Sequence, residues 1–510
     1  MNRRLLRILA VLFSFALIAA ACGGDDTAED EAPAADDAGA EETPAEDGEA
    51  EEAPADDDSG TEEEGAGEEE GAGEEEGAEE EGAAGGDDIA RLTEAAAEVF
   101  PCFEGDGGTP TDSAPENGVT ADEVRLAYLD ADLTTLIALN LSVDLGPNGE
   151  RYKAIMDDYN ARCGGINGRQ IVTDIYTYDA INGPVMDEVC TQVTQENPAL
   201  IAQTRVFPLS KDLCITEVNE SMLMYETGRP QASIDRAGGR LFSVDLPEDK
   251  QAFLQTGMLA QAGLLEGATI GVIHSTADEQ TDIANDGTVA GLAAQGLEPA
   301  TVVALQQAGV TCEGYPSAVQ QMVEAGVDTV FLVLSGSCAP GFVGEAATQA
   351  YFPQYIAVNQ SGLGGDVGTQ GMIELGDAFD GALSHMTLAQ QVTGFPEEFS
   401  PAPWDQACND YLNGLLGTDF QFGDGQWSAA VFVCSGAYAT LAAIAAAGSD
   451  LTQESFQAAM ETVDFVPLPR NQVGSYGPGQ PWAAPQRMFT VEWQAACGCY
   501  NYVDGPTPVG

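Results

Sequence analysis

The 510-residue chain carries 84 Asp and Glu against 17 Lys and Arg, a formal net charge of −67. Residues 25–88 hold 31 of the acids and no base, yet the remainder beyond residue 88 still has 53 acids and 14 bases. A surface this acidic repels phosphate backbones and anionic headgroups, which argues against nucleic acid as a partner.

At the start of the chain, Arg3, Arg4 and Arg7 precede an apolar run over 8–21, and Ala19-Ala20-Ala21 lead directly into Cys22. The run has signal-peptide length, short of the roughly 20 residues a membrane span needs. Residues 1–21 therefore read as a signal peptide and Cys22 as a lipidation site. A diacylated cysteine holds a protein on the extracytoplasmic face of the cell membrane. An ordinary secretory signal with an incidental cysteine is the alternative.

Residues 22–87 read as a tether, since Ala, Gly, Pro and acids cannot bury a core. The repeated Glu-Glu-Glu-Gly-Ala-Gly unit within 62–81 has no apolar period. Cation binding by the acidic run is the second reading of this stretch. An amphipathic helix over 88–100 and a Pro- and Gly-rich loop over 105–118 follow.

From there β-rich runs alternate with helical segments, at 124–129, 171–178, 199–204, 222–225, 269–274, 301–305, 329–334 and 355–358. Apolar strands alternating with helices predict parallel sheets built of βαβ units, hence an α/β fold. A helix over 149–163 places Tyr152, Ile155, Met156 and Tyr159 on one stripe. Gly164 stops it, and Asn167-Gly168 turns the chain into the next strand.

Beyond Cys22 ten cysteines remain, an even number that suits disulfides in an exported protein. Cys190–Cys214 and Cys312–Cys338 are the favoured pairs, because each joins consecutive βα units. Cys497-Gly498-Cys499 lacks the second pair or histidine a zinc site needs, so neither metal nor cofactor is expected. Only His274 and His385 occur, with no Gly-x-Ser-x-Gly or His-Glu-x-x-His motif, so an enzyme is not expected. The Gly362-Leu363-Gly364-Gly365 cluster reads as a loop.

One set of residues resembles a known family. Asp122-Glu123-Val124-Arg125-Leu126, a Tyr-containing helix, and Cys163-Gly164-Gly165-Ile166-Asn167-Gly168-Arg169 before a β-rich run are similar to the N-terminal lobe of the type I periplasmic binding proteins, the leucine/isoleucine/valine-binding family. The resemblance implies two doubly wound parallel-sheet lobes joined by three crossovers, with a small solute held between them. It also implies delivery to the permease subunits of an ABC importer. The boundaries expected are lobe one at 119–243 plus 388–466, lobe two at 244–387, and a crossover with C-terminal strands at 467–510. Crossovers are placed near 242–247, near 384–391 and between 465 and 487.

Ligands of open α/β sheets sit at the carboxyl ends of strands. That rule selects Leu129, Asp130 and Asp132, then Thr204 and Arg205, then Tyr225, Glu226 and Thr227 from lobe one. From lobe two it selects His274, Ser275 and Thr276, Ser335 and Ser337, and Asn359 and Gln360. The family's amino-acid binders offer Ser and Thr for a carboxylate and an acid from lobe two for an ammonium; Thr204-Arg205, Glu226-Thr227 and Gln360 stand in those places here. Arg205 either grips a ligand carboxylate, with Thr204 and Thr227 adding hydrogen bonds, or pairs with Glu226. The expected ligand is amino-acid-like or carboxylate-bearing. A sensor of the same fold, signalling to a membrane partner, is the alternative to an importer component, and a surface adhesion protein a third reading.

Overall fold

The structure is a computed structural model that describes residues 86–139, 142–207, 209–308, 311–335, 338–358, 375–386, 402–422, 424–483, 485–496 and 499–509. The signal segment, Cys22, the tether up to residue 85, Ser337, Asn359, Gln360, the 362–365 glycines and Cys497 lie outside them.

Short apolar runs become buried strands of two sheets. The first holds β1 (Glu123–Asp132), β2 (Gln170–Asp179), β3 (Ile201–Thr204), β4 (Met222–Tyr225) and β5 (Leu241–Ser243), in the order β2-β1-β3-β4-β5. Every pairing in it is parallel. β3, β4 and β5 are buried along their whole length, as strands covered on both faces by helices must be.

The second sheet runs β15-β14-β11-β10-β9-β6-β7-β8. Its strands are β6 (Ile270–Ser275), β7 (Thr301–Ala308), β8 (Thr311–Glu313), β9 (Thr329–Val333), β10 (Gln354–Ala357) and β11 (Leu383–Met386). β14 (Arg487–Gln494) and β15 (Cys499–Pro508) return from the C-terminal part. The centre, β7-β6-β9-β10-β11, repeats the 2-1-3-4-5 winding of the first sheet. The expectation of wholly parallel sheets is corrected at the rims: β8, β14 and β15 pair antiparallel. Phe242 and Ser243, at the start of the first expected crossover, belong to β5, and Ser384 and His385, at the start of the second, to β11. Between the sheets' strands, β12 (Val466–Leu468) and β13 (Gln472–Gly474) make a separate hairpin.

Helices α1 (Gly86–Ala97), α2 (Asn148–Cys163), α3 (Glu248–Gln261), α4 (Pro403–Leu416), α5 (Gly425–Ala447) and α6 (Gln453–Met460) include those that shape the site. The stripe Tyr152, Ile155, Met156 and Tyr159 of α2 is fully buried against β1 and α5. Helix α5 is apolar all round, which marks a core helix. It is long and apolar enough to cross a membrane, but 89% of its apolar window is buried inside the protein. Gly436 lets it approach β3, because a Cβ there would meet the Gln203 side chain at 2.6 Å.

The glycine-rich segment after α2 is structural. Gly164 takes φ 76° as the left-handed C-cap, and Asn167 and Gly168 follow at φ 48° and 79°. The Asn167 amide then donates to the carbonyls of Ile444 (2.7 Å), Gly448 (3.0 Å) and Ala445 (3.3 Å). It thereby satisfies the Ile444 and Gly448 carbonyls at the end of α5, and shares the Ala445 carbonyl with the Gly448 N–H (3.2 Å). Buried Arg169 donates to the carbonyls of Thr120 (2.6 Å), Ser449 (2.8 Å) and Thr111 (2.9 Å).

Among the described residues four disulfides are formed: Cys102–Cys163, Cys190–Cys214, Cys312–Cys338 and Cys408–Cys434. The first staples the segment after α1 to the end of α2, and the last joins α4 to α5.

Candidate functional site

In a sheet wound 2-1-3-4-5 the strand order reverses between the first and third strands, and the crevice outside their carboxyl ends is where ligands bind. In the first sheet that point lies between β1 and β3. A narrow crevice of about 10 Å³, room for roughly one water molecule, occurs there, lined among others by Tyr128, Asp130, Asn148 and Arg205.

Arg205 follows β3 directly, and its guanidinium lies 4.4 Å from the centre of the Phe432 ring on α5. Glu226 follows β4 and is fully buried; its Oε1 accepts from the Tyr128 hydroxyl (2.7 Å) and the Gln203 amide (2.9 Å). Burial pushes this carboxyl up, while the nearby positive charge of Arg205 draws it down. The Tyr128 hydroxyl is held well above its ordinary value, first by burial and then by the Glu226 charge.

Asp130 stands at the end of β1, where its Oδ2 accepts from the first-turn N–H of Gly149 on α2 (3.1 Å). Burial raises its carboxyl to about 6, against the pull of that N–H and of Arg151. Arg151, on α2, is fully buried and donates to the Leu145 carbonyl (2.7 Å) and the Asn148 side chain (2.5 Å). Its Nε and Nη2 have no hydrogen-bond partner, and burial lowers its pKa to about 10. A buried guanidinium with donors to spare is costly, so it adds strong positive potential under the crevice floor beside Gly146.

The residues selected by the strand-end rule divide into two groups. Asp130, Arg205 and, through Tyr128, Glu226 are brought together. Thr204 is fully buried, and its hydroxyl donates back to the Leu129 carbonyl (3.1 Å), closing the strand end. Tyr225 is likewise committed, its buried hydroxyl donating to the Phe207 carbonyl (2.6 Å) beneath the Arg229 guanidinium. Asp132 caps Thr134 (2.9 Å) at the exposed end of β1, and Thr227 is half-buried beyond Glu226.

In the second sheet the corresponding reversal lies between β6 and β9. Ser275 ends β6, fully buried, and its hydroxyl has no hydrogen-bond partner. His274 turns its Nδ1 to the Ser275 carbonyl (2.8 Å), Thr276 accepts from the Gln307 N–H (3.1 Å), and Ser335 follows β9 half-buried. The charge of Glu279, just beyond β6, acts on Asp212, Tyr225 and Arg229 around the end of β4.

Arg151, Asn148 and Phe432 were missed from the sequence. Arg151 carried one usable signal, a rare base beside Tyr152 on the buried stripe of α2.

No family model matches the chain, and no curated protein matches it. Solved structures do. A periplasmic binding protein type 1 from Bordetella pertussis Tohama I matches with a TM-score of 0.55 at 16% identity, over 76% of this chain and 100% of its own. An ABC-transporter solute binding protein from R. palustris, in complex with 4-hydroxybenzoate, matches at 0.54 and 14%, over 76% and 96%. A leucine binding protein from Thermotoga maritima MSB8 matches at 0.54 and 11%, over 75% and 98%. At such identities the likeness speaks for architecture, and on that basis the chain has the fold of the type I periplasmic binding proteins.

Proposed function

We propose that this protein is an extracytoplasmic solute-binding component of an ABC importer, and no enzyme. It captures a small carboxylate-bearing solute between a lobe built of 119–243 and 388–466 and a lobe built of 244–387. The observation that carries the reading is Arg205, whose guanidinium lines the crevice at the strand-order reversal of the first sheet, over Phe432. A planar guanidinium matches a carboxylate in a bidentate way, and the Arg151 charge behind it favours an anion further. Asp130 and Glu226 temper this, but burial holds both carboxyls above the ordinary range. From the second lobe, Ser275 and Ser335 at the ends of β6 and β9 face the same ligand. Two structural neighbours, one holding 4-hydroxybenzoate and one named for leucine, bind solutes of the carboxylate class. Lipidation at Cys22 ties the protein to the membrane beside its permease.

A thermal-shift screen tests this, with benzoate, 4-hydroxybenzoate, leucine and a panel of short carboxylates set against matched amines and sugars. Ligand at 100 times its Kd stabilises the folded state by about 2.7 kcal/mol, so a member of the carboxylate panel should raise Tm. Stabilisation by sugars or amines alone would overturn the assignment.

A further inference from the structure

A second cavity lies at the opposite end of the first sheet. About 250 Å³ in volume, it opens beside Gly238 and Gly239, which lead into the amino end of β5, and it is walled by α6 and by residues 476–481. No Lys or Arg lines it. Asp235 and Glu461 stand exposed at its rim, and Phe242, Tyr476 and Met460 form its apolar wall, the two rings meeting edge to face at 6.4 Å. Gln231 also lines it, its amide donating to Asp235 (2.7 Å) while its buried Oε1 has no hydrogen-bond partner. Of the bases close in sequence, Arg236 beside Asp235 is engaged with Glu217 at 3.5 Å and Arg240 beyond Gly238 with Glu220 at 3.8 Å.

Two carboxylates over an aromatic wall are complementary to a positive charge carried on an apolar body, since ring faces attract cations and the acids supply the Coulomb term. The volume is just below the usual range for drug-sized ligands and fits a small one. We propose that this cavity is a binding site for a small organic cation of the quaternary-ammonium or alkylamine class, separate from the carboxylate crevice. Tyr476 ties the site to the lobe connection: its hydroxyl donates to the Ser243 carbonyl (2.9 Å), and the same carbonyl accepts from Ala483 (2.9 Å) on the way to β14.

Calorimetric titration of the full chain with choline at low salt provides the test. One saturable site is expected. The Asp235→Asn/Glu461→Gln double variant should weaken it at least tenfold, and Gly477→Leu, where a Cβ meets no atom within 4 Å, should fill the space and abolish it. Glu266→Gln/Glu298→Gln removes the same charge from exposed turns elsewhere and should leave choline binding unchanged. No saturable uptake of choline, full binding by the Asp235/Glu461 variant, or an equal loss in the Glu266/Glu298 control would each overturn the proposal.

Discussion

Asp130 and Arg205 share one crevice, and the balance between them sets how it responds to pH. The Asp130 carboxyl sits at about 6 because burial disfavours its charge. Above that pH its negative charge opposes a bound carboxylate, and below it the opposition disappears. Affinity for an anionic solute should therefore rise between pH 7.5 and 5.5, and Asp130→Asn should raise affinity at pH 7.5 while flattening the profile. A weaker Asp130→Asn complex at pH 7.5 would mean that Asp130 instead grips a ligand ammonium. Arg169 is the second decisive residue, though it stands far along the chain from the crevice. Three carbonyls depend on its guanidinium, and stranded buried acceptors cost about 1–3 kcal/mol each. Urea unfolding of Arg169→Ala should show a loss of at least about 2 kcal/mol. The glycine-rich motif that carried the family resemblance thus owes its residues to helix capping and chain packing, which no sequence pattern distinguishes from ligand contact. Thr204 illustrates the same limit from the other side: a hydroxyl at a strand's carboxyl end was legible, but its bond to the Leu129 carbonyl depends on a register between β1 and β3 that only the folded sheet provides.

Among the elements, those with a strong apolar pattern were readable, four-residue β3, β4 and β10 included, and those without one were not. Helix α2 announced itself through its stripe and Gly164, and β1, β2, β4 and β6 through apolar runs. β5, β8 and β11 have only three or four residues, and tertiary pairing rather than local propensity makes them strands. The start of α4 shows how an element end can hold strain. Arg470 adopts φ 62°, a conformation most side chains avoid. Its N–H donates to both carboxylate oxygens of buried Asp405 in the first turn of α4, at 3.0 and 3.1 Å. Burial lifts the Asp405 carboxyl to about 7, against the pull of Arg470. The folded chain therefore keeps a proton here that the unfolded chain releases near pH 4. Stability should fall as pH rises through the window from about 4 to 7, since the native state binds more protons there. Melting curves across pH 5–8 should show Tm declining, with a shallower decline for Asp405→Asn, whose amide keeps one acceptor for Arg470. An unchanged slope in the variant would place the pH dependence elsewhere.

At the scale of the whole molecule, two sheets wound alike place reversal points at the carboxyl ends of β1 and β3 and of β6 and β9. The order of apolar runs made the α/β class readable, because parallel strands need covered faces and crossover helices. The antiparallel rim of the second sheet was not readable, since β14 and β15 arrive from more than a hundred residues beyond β11. The overall negative charge keeps the protein off nucleic acid by repulsion. The central claim is that Arg205 holds the solute's carboxylate, and isothermal calorimetry of wild type and Arg205→Ala, with the carboxylate that screening identifies, tests it most directly. Removing one partner of a buried charge pair costs about 2–5 kcal/mol, so the variant should bind at least about thirtyfold more weakly; equal affinity in the two proteins would contradict the account.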